Sequence, residues 1–440
     1  MALHVTIVGG YGGMGRVFAR LFKSEGCDVV ITGPTEKKGV EASSELGVEY
    51  RKDNVLGVKD ADVVVITVPI AVTAKTIEEV APHVKKGALL MDLTSVKGWP
   101  CELMAKYAKA DVEVVGTHPV FGPRVGSVEG QIFVLTPVRG ERWYAWLKDI
   151  LSRNKARIIE STPAEHDEVM SVVQGLTHFT YISVGKTLKD IGFDVKRSRQ
   201  FSSPIYDLML DMVGRIIGQD PHLYAEIQMQ NPRVPLVHKA YLKAASELSE
   251  VVKRKDEGEF VETMAEAAKH FGDTERSMGR SDKAIGSLVA ELKALKESVG
   301  REICLKHMYS GAVHMGIVES VTAEEVVLRD GGKSTTLKLS NLVVLSGAQR
   351  TEYRRLKYGT TSKDYSVVLN DSTDEKFVCE LLKNYAECAV LASVKDVYRG
   401  EKIGAGKKSV CFSVELIKDD VKANDAVVLE FLRKIGGTPR

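Results

Sequence analysis

The run Gly9-Gly10-Tyr11-Gly12-Gly13-Met14-Gly15 decides the first half of the fold. An apolar stretch, His4–Val8, leads into it, and helical periodicity follows from Arg16 onward. The spacing Gly10-x-Gly12-x-x-Gly15 is weak by itself, because glycine turns are common. Between a strand and a helix it becomes the dinucleotide fingerprint. Gly10 permits the tight turn, Gly12 lets a pyrophosphate approach the backbone, and Gly15 lets helix and strand pack closely. Tyr11, Gly13 and Met14 complete the loop. Further continuous apolar runs stand at 28–31, 63–68, 88–92 and 112–116. Separated by helical segments, such runs indicate a parallel sheet covered on both faces. A doubly wound, Rossmann-like α/β domain is expected over residues 1–160.

The end of the second strand bears on cofactor choice. NAD-dependent enzymes usually place Asp or Glu there to bind the ribose diol. This chain has Thr32-Gly33-Pro34-Thr35-Glu36-Lys37-Lys38. Gly33 holds the acidic place, with the Thr35 hydroxyl and two lysines nearby. The expectation therefore leans to NADP over NAD, although Lys37 and Lys38 also suit a solvated helix face. Val68 and Pro69, where the 63–68 run ends, are further expected cofactor contacts.

The bulk numbers narrow the class. A chain of 440 residues is too long for one core, and two to four domains are expected. With 61 basic and 59 acidic residues the net charge is +2, which implies no strongly charged partner for the whole molecule. No apolar run approaches membrane-spanning length. No charged segment with an apolar core follows Met1, so a signal peptide is not expected. The six cysteines show no Cys-x-x-Cys spacing, which fits reduced thiols in a cytoplasmic protein without a thiolate metal site.

The character of the chain changes near residue 160. Thr162-Pro163-Ala164-Glu165 is a capping box with proline at the first helical position. Ser203-Pro204 opens another helix with the apolar stripe Ile205, Leu208, Met209, Met212, Val213, Ile216 and Ile217. An all-helical domain is expected over 161–300. Short alternating strands with a turn at Asp330-Gly331-Gly332 suggest a small β-barrel over 301–350. A basic connector follows, with Arg350, Arg354, Arg355, Lys357 and Lys363. Strand, helix, strand, strand and helix then suit a ferredoxin-like α+β domain over 361–440.

Three segments carry candidate chemistry. Asp92-Leu93-Thr94-Ser95-Val96-Lys97 lies at the carboxyl end of a strand, where doubly wound sheets bind ligands. Thr117-His118-Pro119-Val120-Phe121-Gly122-Pro123 follows another strand, and its two prolines stiffen a loop holding one imidazole, which suits an acid/base. Gln174 and His178 share a helix face. Arg215 flanks the second helical stripe, and Asp211 one turn earlier offers it a simple surface ion pair. His166, in the first turn of its helix, is read as structural.

Residues 4 to about 280 closely resemble the prephenate dehydrogenases, especially the dehydrogenase half of bacterial bifunctional chorismate mutase–prephenate dehydrogenases. The resemblance rests on Asp92–Lys97, Thr117–Pro123, Glu165-His166-Asp167, Thr177-His178-Phe179, Ser202-Ser203-Pro204-Ile205-Tyr206, Met212-Val213-Gly214-Arg215 and Gln219-Asp220-Pro221. It implies oxidative decarboxylation of prephenate to 4-hydroxyphenylpyruvate in tyrosine biosynthesis, with arogenate as the alternative substrate, and a homodimer built on the helical region. It further implies that His118 is the catalytic histidine at the substrate's 4-hydroxyl and that Ser95 positions it. Arg215 is implied to hold the ring carboxylate, His178 to add to substrate binding, and Lys97 to support them. Asp207 stands where some relatives carry arginine. Residues 366–440 are similar to the ferredoxin-fold anticodon-binding domain of the phenylalanyl-tRNA synthetase β subunit, through Asp396–Gly404 and Gly406-Lys407-Lys408-Ser409. Two roles follow for that segment. It grips tRNA through Arg399, Lys402, Lys407, Lys408 and Tyr398, or it serves as an assembly or amino-acid effector module. The rivals to the whole reading are a β-hydroxyacid or F420-type reductase, and an RNA-binding protein with an inactive dehydrogenase domain.

Overall fold

The computed structural model describes residues 2–439. The chain divides into two compact units, one running to Ser277 and the other from Met278.

The first unit opens with an eight-stranded sheet. Its strands are β1 (His4–Val8), β2 (Asp28–Thr32), β3 (Glu49–Arg51), β4 (Val63–Ile66), β5 (Leu89–Asp92), β6 (Glu113–Pro119), β7 (Ile132–Arg139) and β8 (Arg157–Glu160). They lie in the order β3-β2-β1-β4-β5-β6-β7-β8. Every neighbouring pair is parallel except β6 with β7. Strand order reverses between β1 and β4, which opens a crevice at their carboxyl ends. The glycine turn lies there.

Alternation along β4 shows why the sheet is buried on both sides. Val63 and Val65 join one apolar cluster, while Val64 and Ile66 join another. Helices α1 (Gly13–Ser24), α2 (Glu36–Leu46), α3 (Asn54–Val58), α4 (Ile70–Val80), α5 (Gly98–Tyr107) and α6 (Arg142–Arg153) cover the two faces. Phe18 and Phe22 of α1 and Trp143 and Leu147 of α6 fill the first cluster; Ile77 and Val80 of α4 and Met104 of α5 fill the second.

Helices then take over: α7 (Pro163–Met170), α8 (Thr177–Asp190), α9 (Val195–Ser198), α10 (Pro204–Ile217), α11 (Pro221–Gln230), α12 (Val234–Arg254), α13 (Glu257–Phe271) and α14 (Thr274–Glu297). The capping box at Thr162 and Glu165 forms as expected, and Ser203 caps α10 through the Tyr206 amide. Between α7 and α8 the chain makes a π-helical turn, Ser171–Leu176. Such turns are rare and cluster at functional sites. Here Gly175 faces α12, where an added Cβ would lie 2.7 Å from Val234 Cγ2. The Gln228 amide donates to the Gly175 carbonyl at 3.0 Å, and the Asn231 amide donates to the Asp167 carbonyl at 2.8 Å. Side chains at the end of α11 and just beyond it thus satisfy backbone groups around the turn. No helix is long and apolar enough to cross a membrane among the described residues.

The second unit departs from expectation in three places. Its boundary falls inside α14 and not near residue 300, because Leu295 of that helix belongs to the apolar core of the sheet that follows. That sheet comprises β9 (Glu302–His307), β10 (Val313–Val321), β11 (Glu325–Asp330), β12 (Lys333–Lys338) and β13 (Leu342–Val344), in the order β12-β11-β10-β9-β13. Its strands are antiparallel, and its edges β12 and β13 do not pair with each other among the described residues. The expected connector is a helix, α15 (Gly347–Tyr358), started by a capping box of Ser346 and Gln349. Two of its arginines bind carboxylates, Arg350 with Glu387 and Arg354 with Asp419.

The last stretch runs β14 (Thr360–Asn370), α16 (Glu375–Tyr385), β15 (Ala389–Tyr398), β16 (Lys407–Ile417), α17 (Val421–Lys434) and β17 (Thr438–Pro439). Its antiparallel sheet has the order β15-β16-β14-β17. Two of the four cations expected to grip RNA are otherwise engaged. Lys408 is buried against Glu375 at 2.6 Å, and Arg399 meets Asp371 at 2.6 Å. Residues 361–440 also hold as many acidic as basic side chains, which is not the balance of a phosphate-binding surface.

One buried ion pair organises the sheet edge beneath the site. Lys97 and Asp92 are both fully buried and paired through Nζ and Oδ2. The Thr94 amide also donates to Asp92 Oδ2 at 3.0 Å, and Lys97 Nζ donates to Thr94 Oγ1 at 3.2 Å. Removing one member of such a pair strands the other charge in a dry interior. Lys97→Met is therefore expected to destabilise the protein by about 3–5 kcal/mol in denaturant unfolding. A loss below about 1 kcal/mol would mean that the pair contributes no more than a surface contact. Gly15→Ala would place a Cβ 2.6 Å from the Gly10 Cα, and overpacking against backbone is expected to cost about 1–3 kcal/mol in the same measurement.

Candidate active site

The glycine turn is built for a pyrophosphate. Helix α1 starts at Gly12 without a side-chain cap, and no acidic residue stands in its first turn. Its first amides and the positive end of its dipole are therefore available to an anion. Some helices of this unit are capped by side chains, at Asp53, Thr162, Ser203 and Asp220, while α2, α4, α5 and α6, like α1, are not. Gly10 is closed in by Ile31, where a Cβ would come within 2.6 Å, whereas a Cβ at Gly12 would meet only the Gly9 carbonyl, at 3.2 Å. Space thus opens above Gly12, where a ligand would lie. Val68 is half-buried and packs beside Gly9; Pro69 is exposed and precedes α4. Tyr11 and Met14 are half-buried against the core. These residues fit a dinucleotide.

The adenosine end has a distinct lining. Gly33 is buried at φ +152°, and an added Cβ would sit 2.5 Å from Tyr11 Cε1. The Tyr50 hydroxyl donates to the Gly33 carbonyl at 2.8 Å. Two tyrosines therefore hold the place where an acidic residue would reach a ribose. Thr35, Lys37 and Lys38 are exposed, and the Thr35 hydroxyl does not cap α2.

His118 lies on the same edge of the sheet. It belongs to β6 itself, paired with Val134 of β7, and not to the loop after the strand. Only 2% of it is exposed, so it is no surface histidine. Beyond it the loop reaches back to the nucleotide turn, since a Cβ at Gly13 would lie 2.7 Å from Pro123 Cγ. The ring has two polar neighbours. Its Nδ1 is 2.8 Å from His166 Nε2, and its Nε2 is 3.4 Å from Gln174 Nε2 in the π-turn. His166 Nδ1 lies 2.8 Å from Asp167 Oδ1. Burial holds the His118 imidazole well below the ordinary histidine range, and the charges of His166 and Lys97 act in the same direction. Burial also lowers His166, although Asp167 opposes it.

Several sequence assignments change here. His166, read as structural, is the side chain that contacts His118 Nδ1. Ser95, expected to position His118, is half-buried, and its hydroxyl makes no hydrogen bond with the described residues. Lys97, expected to support the substrate-binding residues, gives its ammonium to Asp92 and is fully buried. The surface pairing offered for Arg215 is not made. Asp211 binds Arg199 at 2.7 Å, and Asp207 also meets Arg199, at 3.3 Å. Arg215 is exposed and lies near enough to Tyr224 for its charge to be felt there. The Tyr224 ring meets His178 edge-on at 4.6 Å. Gln174 thus reaches His118, and Tyr224 meets both His178 and the charge of Arg215. His178 Nδ1 and Gln174 Oε1 are buried without a partner among the described residues, and burial lowers His178 to about 4. Unpaired buried polar atoms are costly. Both atoms lie one helical turn apart in sequence, and a ligand reaching this region could satisfy them.

Residues 18–160 match the nucleotide-binding domain of prephenate dehydrogenase, and residues 162–266 match the dimerization domain of prephenate dehydrogenase. A probable arogenate/prephenate dehydrogenase of Methanocaldococcus jannaschii is 39% identical over 443 residues, spanning 100% of this chain and 98% of its own. The T-protein of Haemophilus influenzae is 30% identical over 289 residues, covering 66% of this chain and 72% of its own. A crystal structure of prephenate dehydrogenase from A. aeolicus, in complex with hydroxyphenyl propionate and NAD+, shares the fold with a TM-score of 0.51 at 22% identity, covering 62% of this chain and 99% of that one. A glycine turn on an uncapped helix, a buried imidazole on the same sheet edge and a similarity that runs the length of the M. jannaschii relative have one common explanation: the chain belongs to the prephenate dehydrogenase family.

Proposed function

We propose that the protein oxidises and decarboxylates prephenate to 4-hydroxyphenylpyruvate, passing hydride to NADP+ in preference to NAD+. The observation that carries this reading is the buried, neutral His118 imidazole beside the glycine turn, with Gln174 reaching it and Tyr224 meeting both His178 and the charge of Arg215. A nicotinamide dinucleotide bound at Gly10, Gly12, Gly13 and Gly15 supplies the hydride acceptor. His118 takes the proton of the substrate's 4-hydroxyl, and its low proton affinity keeps it in the base form at neutral pH. Ser95, with its hydroxyl free, contacts the same oxygen. Arg215 binds the ring carboxylate with its planar fork. That carboxylate leaves as CO2, and aromatisation of the ring drives the step. His178 and Gln174 complete the binding wall.

Cofactor preference follows from the adenosine end. No carboxylate stands at Gly33 to repel a 2′-phosphate, while Thr35, Lys37 and Lys38 are free to contact one. The match to a dimerization domain supports a homodimer. Exposed apolar side chains such as Leu236, Leu242, Val261, Met264 and Phe271 supply the kind of surface a second copy would cover. The βαββαβ order and sheet order of residues 360–439 support a ferredoxin-like arrangement. Its balanced charge favours an assembly or effector role over tRNA binding.

His118→Asn is expected to lower kcat by about 10²–10⁴-fold with nucleotide binding intact; equal activity would remove His118 as the base. Arg215→Gln is expected to raise KM for prephenate more than it lowers kcat, and an unchanged KM would contradict the carboxylate assignment. Rates with prephenate and arogenate, each with NAD+ and NADP+, test the substrate and cofactor together; arogenate as the faster substrate would overturn the first choice. Charge reversal at Lys37 and Lys38 should weaken NADP+ in direct binding and leave NAD+ nearly unchanged. The sign of the pH effect is also fixed. Because His118 is held below the ordinary value of 6.5, its base form persists as pH falls through 6.5. The acidic limb of kcat/KM is expected below that pH, and a limb at or above 6.5 would contradict the burial argument.

A further inference from the structure

The hydrogen bonds around His118 determine which of its nitrogens is the base. Asp167 is the fixed end of the chain. Its Oδ1 accepts from the Lys97 amide at 2.8 Å, and its Oδ2 accepts from the Gly98 amide at 2.9 Å. Burial pushes its carboxyl up, but the bonds from His166 and from these two amides outweigh burial and keep it ionised. An ionised carboxylate only accepts. His166 Nδ1, 2.8 Å from Oδ1, must therefore carry the proton. A neutral His166 then has its lone pair on Nε2. That atom lies 2.8 Å from His118 Nδ1, and two lone pairs cannot face each other at that distance. His118 Nδ1 must carry a proton as well. The lone pair of neutral His118 falls on Nε2, the nitrogen that faces the Gln174 amide.

We propose that Asp167 and His166 are positioning residues that fix His118 as its Nδ1–H tautomer, so that Nε2 is the proton acceptor in the dehydrogenation. This deepens the functional reading above and rests on it only for the identity of the substrate. In the step itself, the C4–H bond breaks with its electron pair passing to the nicotinamide ring. The hydroxyl O–H bond breaks, and its proton goes to His118 Nε2. The new imidazolium keeps its Nδ1–H on His166, whose own Nδ1–H remains on Asp167. The positive charge thus develops at the end of a chain anchored by an anion, in a site too dry for water to stabilise it. The opposite tautomer would need a lone pair of His166 against the carboxylate and would leave His118 with a proton where the substrate requires an acceptor.

The test uses the full chain labelled with ¹⁵N-histidine, with long-range ¹H–¹⁵N correlation reporting the protonated nitrogen of His118 without substrate. The His118 signals are assigned by their loss in His118→Asn. The unmodified protein should show protonated Nδ1. In Asp167→Asn and His166→Ala this preference should be lost, and kcat should fall about 10²–10⁴-fold, as for a wrong tautomer in other acid/base sites, while KM and nucleotide affinity change by less than about threefold. His166→Gln can place its amide oxygen against His118 Nδ1–H and should recover at least tenfold over His166→Ala. Since Asp167 also binds two backbone amides, the His166 pair keeps the test valid if Asp167→Asn fails to fold. A His118 protonated on Nε2 in the unmodified protein would overturn the proposal, as would an unchanged tautomer in His166→Ala or equal activity of the Ala and Gln variants. If the tautomer shifts as expected but the unmodified protein does not oxidise prephenate, the tautomer assignment stands and the functional reading falls.

Discussion

The Asp167 carboxylate joins the two halves of the site. Through the amides of Lys97 and Gly98 it grips the loop that leaves β5 and enters α5, which belongs to the nucleotide-binding sheet. Through His166 it reaches His118 on β6. It sits on α7, the first helix of the other half, and its own carbonyl is held by Asn231 beyond α11. A group that cannot be moved without stranding several buried donors makes a stiff joint. Stiffness matters here because hydride transfer needs the donor carbon, the nicotinamide and the base in fixed relation, and misplacement by an ångström is costly.

The same burial that makes this joint rigid sets the chemistry. An imidazole with nearly all its surface removed from water resists protonation, and Lys97 nearby strengthens that resistance. Lys97 is itself tolerated only because Asp92 neutralises it in the same dry space. The order of dependence is clear. The sheet buries Asp92, Asp92 requires Lys97, and Lys97 ends the loop whose next amide binds Asp167. Stability and reactivity at this edge come from one connected set of polar groups.

Much of this was legible in the sequence, and the exceptions have physical reasons. Continuous apolar runs located β1, β2, β4 and β5, because strands buried on both faces leave no alternation to misread. The short β3 and β8 lack such runs, and β7 escaped notice although Ile132-Phe133-Val134-Leu135 is one. Thr162 and Glu165 announced α7 because a capping box is a local device. The helix α15 was missed because its arginines and lysines mask periodicity, although Ser346 and Gln349 form the same kind of box. At the site, His118 was found from its strand-end position. His166 was not, since its importance lies in a partner 48 residues away. The adjacent pair His166-Asp167 was the available signal: a histidine beside a carboxylate at the start of a helix can be oriented by it. Lys97 was read only as supporting its neighbours, and its pairing with Asp92 was not legible because a lysine is ordinarily solvated.

The two ends of the site are built by different means. At the nucleotide end, the glycine turn offers backbone amides beside small residues, and Lys37 and Lys38 are exposed on α2. Beyond His118, Gln174 is held in a π-helical turn whose Gly175 carbonyl accepts from Gln228. Gly175 in that turn has no room for a Cβ against Val234, so the turn cannot relax toward a regular helix without displacing α12. Gln174 is therefore held at His118 by packing remote from both. A site assembled this way can vary at its rim without disturbing Asp167, His166 and His118, the buried groups that hold the imidazole in place.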